Sequence, residues 1–148
     1  EKQLMCFYRK AAEMVADEGG RQVFNRLSEE KKEHVGTFFR YYRGEEFGDY
    51  ENFISTPCPA EMEVMKELKS IIGEHVKEKR AREIAMSKEE QFEKMLRSTA
   101  KQIVDPGVRT VFDQMADESK NHYAIIESEY ARFMRMPHET DIDTFVRE

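Results

Sequence analysis

Residues 23–39 read VFNRLSEEKKEHVGTFF, and residues 111–126 read VFDQMADESKNHYAII. A shift of 88 positions lays one stretch on the other without a gap, and the match extends over residues 1–44 and 89–132. Identical residues at matching positions include Glu1/Glu89, Asp17/Asp105, Val23/Val111, Phe24/Phe112, Glu30/Glu118 and His34/His122. Such a repeat predicts two copies of one structural unit.

Each copy has the pattern of two helices joined by a short turn. In the first copy, apolar residues recur at the spacing of an amphipathic helix, Asp17 to Gly20 interrupt the pattern, and a second apolar face follows from Phe24 to Tyr42. The second copy repeats this order around Asp105 and Pro106, where Asp105 is a natural N-cap and proline suits the first turn. Each copy is therefore predicted to be a helical hairpin.

The segment between the copies is predicted to be a long crossover. Residues 44–60 contain Gly48, Pro57 and Pro59 and are expected to form a loop, followed by a short amphipathic helix over about 61–72. The third helix is expected to begin between Glu74 and a capping-box-like Ser87. Two short-looped hairpins joined in this way define an all-α, ferritin-like four-helix bundle. Its predicted parts are hairpin 1–43, crossover 44–74, hairpin 75–135 and a tail, 136–148, outside the bundle.

Composition narrows the classes of function. The net charge of -6 argues against a nucleic-acid partner, which would require a basic face. No apolar run approaches the roughly 20 residues that span a bilayer, so no membrane association is expected, and the predicted location is the cytoplasm. Cys6 and Cys58 are isolated in sequence, without C-x-x-C spacing, and are expected to be reduced thiols.

The chain resembles the rubrerythrin branch of the ferritin-like superfamily. The resemblance is carried by Glu1 seven residues before Tyr8 in EKQLMCFYRKAA and by the two stretches quoted above. It implies a pair of irons between the four helices, with Glu1 and Glu89 as carboxylate ligands and His34 and His122 as imidazole ligands. It also implies a di-metal oxidoreductase of the peroxidase or ferroxidase type. Without C-x-x-C pairs for a rubredoxin domain, electrons would come from a separate protein.

Three positions depart from the family pattern. The family carries Glu-x-x-His on the second and fourth helices, but Lys31 and Ser119 stand where those glutamates are expected. Phe92 stands where the family has a further carboxylate. At about 100° per residue, Lys31 and Ser119 fall on the inward faces of their helices, while Glu30 and Glu118 fall about a quarter-turn away.

Two interpretations of the central residues follow. In one, the Lys31 ammonium lies between Glu1 and Glu89 and supplies the positive charge in place of a metal. The protein would then be a non-catalytic dimerisation or partner-binding module, with Phe39 and Tyr41 offering an aromatic surface. In the other, iron or manganese binds at an atypical site formed by Glu1, Glu89, Glu30/His34 and Glu118/His122.

Other residues have simpler expectations. A homodimer is expected under either interpretation, because ferritin-like relatives commonly pair through bundle faces. The resemblance implies that Tyr8 is a hydrogen-bonding or electron-transfer residue beside a metal. Its repeat partner is Leu96, however, which favours ordinary packing. His75 and His138, which have no repeat partner, are expected to face solvent.

Overall fold

The computed structural model describes residues 1–41, 48–59 and 62–135. Its helices are α1 (Lys2–Met14), α2 (Glu18–Arg40), α3 (Tyr50–Ser55), α4 (Glu63–Ser70), α5 (Glu74–Ala100) and α6 (Pro106–Arg135). No strand occurs in these three ranges. The prediction of an all-α bundle is confirmed, with α1 packed on α2 and α5 packed on α6 as two hairpins. No helix in the described ranges is long and apolar enough to cross a bilayer.

The first hairpin turns sharply at Asp17. Its side chain accepts a hydrogen bond of 2.8 Å from the amide of Gly20 and so caps α2. The apolar stripes of the two helices then meet in a core cluster that includes Phe7, Phe24 and Leu27. The helical spacing of apolar residues in the sequence is therefore the spacing of the buried face.

The first helix of the second hairpin begins at the earlier of the two positions that the sequence indicated for its start. α5 starts at Glu74 and runs through Ser87, so Ser87 lies inside the helix and is not its cap. The predicted N-cap of α6 is confirmed, since Asp105 Oδ1 accepts from the amides of Gly107 at 2.8 Å and Val108 at 3.2 Å. The expectation that His75 faces solvent is wrong, because its ring is partly buried and stacks on Phe133.

The crossover contains more structure than predicted. The segment 44–60 was expected to be a loop, but α3 lies within it, capped by Asp49. Asp49 Oδ1 accepts a hydrogen bond of 2.8 Å from the amide of Asn52 and so caps the start of α3. The loop-forming residues around Asp49 obscured this capping signal in the sequence. The short amphipathic helix is present as α4. His138 and the predicted tail, 136–148, lie outside the described residues.

The prediction that the two cysteines are reduced thiols is wrong. Cys6 on α1 and Cys58 in the crossover form a disulfide, with their Cα atoms 5.7 Å apart. They are 52 residues apart in the chain, and the fold of the crossover over α1 brings them together. No local spacing rule detects a pair of this kind.

The core consists of two apolar clusters separated along the bundle axis. One contains Ala85 of α5 and Ile126 of α6, and the other contains Leu96 of α5 and Met115 of α6. The buried polar residues Glu89 and His122 fall between these clusters on the same two helices. The candidate site is therefore a polar layer enclosed between two apolar ones.

Candidate metal centre

Lys31 lies at the centre of the polar layer. Its side chain is 0% exposed, and its Nζ is 3.1 Å from Glu89 Oε1 and 3.5 Å from Glu1 Oε2. The ammonium also lies 4.9 Å from the centre of the Phe92 ring, a favourable distance for a cation–π contact. The inward direction predicted for Lys31 from the helical wheel is confirmed.

The two carboxylates remain ionisable in spite of their burial. Burial would raise the pKa of Glu89, but the neighbouring His122, Lys31 and Tyr8 together hold that pKa below its usual value. Burial acts on Glu1 in the same way, and His34 and Lys31 lower the pKa of its carboxyl. Both acids are therefore stabilised as carboxylates around one ammonium.

Tyr8 belongs to this layer and is more than a packing residue. Its hydroxyl donates a 2.6 Å hydrogen bond to Glu89 Oε1. Burial and the negative charge of Glu89 raise the pKa of Tyr8 well above its usual value, so the phenol stays protonated and keeps donating. The expectation of simple packing is wrong, because the contact joins residues on α1 and α5 that no local pattern connects.

The two repeated histidines lie side by side at the same depth. Their rings stack with centroids 5.6 Å apart, and each points Nδ1 at a carboxylate. His34 Nδ1 is 3.5 Å from Glu1 Oε2, and His122 Nδ1 is 3.6 Å from Glu89 Oε1. The structure thus brings together the four residues of the repeated ligand set.

Glu30 and Glu118, which precede His34 and His122 by four residues, differ in their positions. Glu30 is partly exposed, and its Oε2 lies 2.7 Å from His122 Nε2, so it reaches the other hairpin. Glu118, its repeat partner, is exposed on α6, so the structure does not place the two acids symmetrically. Ser119 is fully buried as predicted, and its Oγ has no hydrogen-bond partner within the described ranges.

Comparison with known families identifies the family of the chain. The family model described as Rubrerythrin matches residues 1–130. The chain belongs to the rubrerythrin family. No individual curated protein and no solved structure matches the chain at a significant level.

Members of the rubrerythrin family typically bind iron, but the residues present here do not fit a di-iron centre. A protonated lysine donates hydrogen bonds and has no lone pair for a metal, and Lys31 occupies the space between the two carboxylates. Ser119 supplies no carboxylate on α6. Among the described residues, no group of three or more His, Cys, Asp or Glu side chains is arranged to hold a metal ion.

A second buried ion cluster lies at the opposite end of the first hairpin. Arg82 is 0% exposed, and its Nη2 is 3.1 Å from both Asp17 Oδ2 and Glu129 Oε1. Arg132 pairs with the same two acids, and Glu78 Oε1 lies 3.6 Å from Arg82 Nη1. This cluster joins the turn before α2 to α5 and α6. No pattern in the sequence indicates this cluster, because its members look like ordinary surface charges.

An aromatic pocket of about 600 Å³ adjoins the polar layer. It lies beyond the first turn of α1, between the last turns of α2 and the facing turns of α5 and α6. Glu1 lies at its edge, and Phe53 of α3 forms part of its wall. Most of its other lining residues are apolar, including Phe38, Phe39, Phe92 and Phe112.

Proposed function

We propose that this member of the rubrerythrin family is a non-catalytic helical module in which Lys31 takes the place of the metal charge. One observation supports the proposal above all: the Lys31 ammonium lies between Glu89 and Glu1, at 3.1 and 3.5 Å, with no exposed surface. A buried carboxylate pair requires a counter-charge, which either a metal ion or an ammonium can supply. Here the ammonium is built into α2.

Metal content tests the proposal directly. Protein purified from cells supplemented with iron and manganese is expected to carry no metal above background. Close to two metal ions per chain would overturn the proposal and support an atypical iron or manganese site with oxidoreductase chemistry at dioxygen or peroxide. Such a site would involve Glu1, His34, Glu89 and His122, with electrons supplied by a separate protein.

A gain-of-function variant sharpens the test. Lys31→Glu combined with Ser119→Glu restores the two glutamates of the family pattern and removes the competing ammonium. We expect this variant to bind ferrous iron in a titration that leaves the parent protein unloaded. The matched control is Lys32→Glu with Asn121→Glu, which changes the net charge equally at exposed positions of the same helices. Equal iron binding by both variants would contradict the assigned role of Lys31.

As a module, the protein is proposed to form a homodimer through the surface around its aromatic pocket. Tyr41 is 43% exposed and Met95 is 50% exposed at this surface, where apolar side chains face solvent. In sedimentation experiments, the variant Tyr41→Glu with Met95→Glu is expected to shift a dimer toward monomer. The control is Ile72→Glu, at an exposed apolar residue of the crossover that does not line the pocket, and it is expected to leave the dimer unchanged. A parent protein that sediments as a monomer at all concentrations tested would refute this part of the proposal.

A further inference from the structure

α3 contributes Phe53 to the wall of the aromatic pocket although it is a short and superficial helix. It has six residues, none of which is buried. A helix this short has no stability of its own in water, so its position depends on what attaches it to the bundle. Phe53 packs against Phe39 with ring centroids 5.2 Å apart, and Lys2 Nζ donates to the Phe53 carbonyl at 2.5 Å.

The Cys6–Cys58 disulfide adds a covalent attachment at the end of this wall. Cys58 follows the end of α3 at Ser55 by three residues, and Cys6 belongs to the buried face of α1. The disulfide therefore ties the crossover to the helix that begins directly after Glu1 and contains Tyr8. The contacts of Phe53 and Lys2 are noncovalent, whereas the disulfide is released only by chemical reduction or exchange.

The two cysteine residues differ in exposure. Cys6 is 1% exposed, whereas Cys58 is only partly buried. Thiol–disulfide exchange requires a thiolate to reach one sulfur of the bond. An external thiol therefore meets the sulfur of Cys58 first and displaces the thiolate of Cys6.

From this geometry we infer that the Cys6–Cys58 disulfide is a redox-controlled clamp that holds α3 as the wall of the aromatic pocket. The reductant is a dithiol, which attacks Cys58, forms a mixed disulfide and then closes its own ring. The S–S bond of the protein breaks and two S–H groups form, while the dithiol loses two hydrogen atoms and becomes a cyclic disulfide. Reduction releases α3 and opens the pocket. The inference does not depend on whether the central site binds metal.

Hydrogen exchange measured by mass spectrometry tests the clamp in the full chain. After treatment with dithiothreitol, amides in the peptide covering residues 50–59 are expected to exchange about tenfold faster, because less free energy is needed to open this segment locally. Amides of α6 are expected to keep their rates. Equal exchange in residues 50–59 before and after reduction would overturn the inference. An equal acceleration of exchange throughout the chain would also overturn it, because the disulfide would then stabilise the whole fold and not α3 in particular.

Two variants separate release of the wall from other effects of the reductant. Cys58→Ser is expected to exchange rapidly in residues 50–59 with or without dithiothreitol. Phe53→Ala with the disulfide intact is expected to bind the dye anilinonaphthalene sulfonate as strongly as the reduced parent protein, because both lack the same wall. Dye binding that rises in Phe53→Ala but not on reduction would refute an opening of the pocket.

The state of the thiols provides an independent measurement. Cys6 and Cys58 are expected to resist alkylation in the native protein purified without reductant. After reduction, Cys58 is expected to react with iodoacetamide before Cys6, since only Cys58 is partly accessible. Two free thiols in the untreated protein, or equal reactivity after reduction, would contradict the clamp.

Discussion

At the scale of single residues, Lys31 decides the character of the central site. A helical wheel was sufficient to predict that Lys31 and Ser119 point inward, because direction on a helix depends only on spacing along the chain. The bond from Tyr8 to Glu89 and the contact of Glu30 with His122 could not be predicted in this way. They join different helices, so they depend on how the helices are rotated and shifted against one another.

Removing the Lys31 charge is expected to destabilise the fold strongly. Lys31→Met keeps most of the side-chain volume but leaves Glu1 and Glu89 as buried carboxylates without their ammonium. We expect the free energy of unfolding, measured by urea denaturation, to fall by about 3–5 kcal/mol. The control Lys32→Met, at the exposed neighbouring position, is expected to change it by less than about 0.5 kcal/mol. A loss as small as that of the control would show that the ammonium is not paired as described.

At the scale of secondary-structure elements, two of the three glycines in α2, Gly20 and Gly36, have opposite expectations. A Cβ added at Gly20 would lie 2.1 Å from Arg82 Nη2, inside the buried ion cluster. A Cβ added at Gly36 would lie 3.6 Å from the Tyr50 ring, which is an ordinary contact. Both residues are helical, so alanine is intrinsically preferred at both.

Alanine substitution at these two positions is therefore expected to have effects of opposite sign. Gly36→Ala should stabilise the protein by about 0.5–1 kcal/mol, since it gains helix propensity without a clash. Gly20→Ala should destabilise it by about 1–3 kcal/mol, because the guanidinium of Arg82 must move out of its pairs. Urea denaturation of both variants provides the comparison. Stabilisation by both substitutions would mean that Arg82 can move away without cost.

The crossover shows where prediction of elements failed and why. α4 has an apolar stripe and was predicted, whereas α3 has no buried residue and leaves no such stripe in the sequence. Its position depends on contacts with Phe39 and Lys2 and on the disulfide, all of which are distant along the chain. Periodicity detects helices that are stabilised by burial and misses helices that are held by tethers.

At the scale of the whole molecule, buried carboxylates make stability depend on pH. Glu1, Asp17 and Glu89 all have a pKa below its usual value in the folded chain. The unfolded chain therefore binds protons more readily as the pH falls, so the stability that these groups provide above their ordinary pKa is lost during acidification. Glu78, whose pKa is raised by burial, acts in the opposite direction.

The three lowered groups outnumber the one raised group, so acid is expected to destabilise the fold. We expect the urea midpoint to fall as the pH drops from about 5 to about 3, the range in which lowered carboxyl pKa values act. Glu89→Gln removes one of the titrating groups and is expected to flatten the decrease. A midpoint that stays constant or rises over this range would contradict the lowered values.

The single lysine of the polar layer makes the two halves of the molecule unequal partners. The second hairpin contributes Glu89 and His122 but carries Ser119 where the first hairpin carries Lys31. Two copies of the second hairpin brought face to face would confront two acids without a cation between them. That half of the duplicated chain thus needs the other half to complete its interior, and the repeat, though symmetric in shape, is no longer interchangeable in charge.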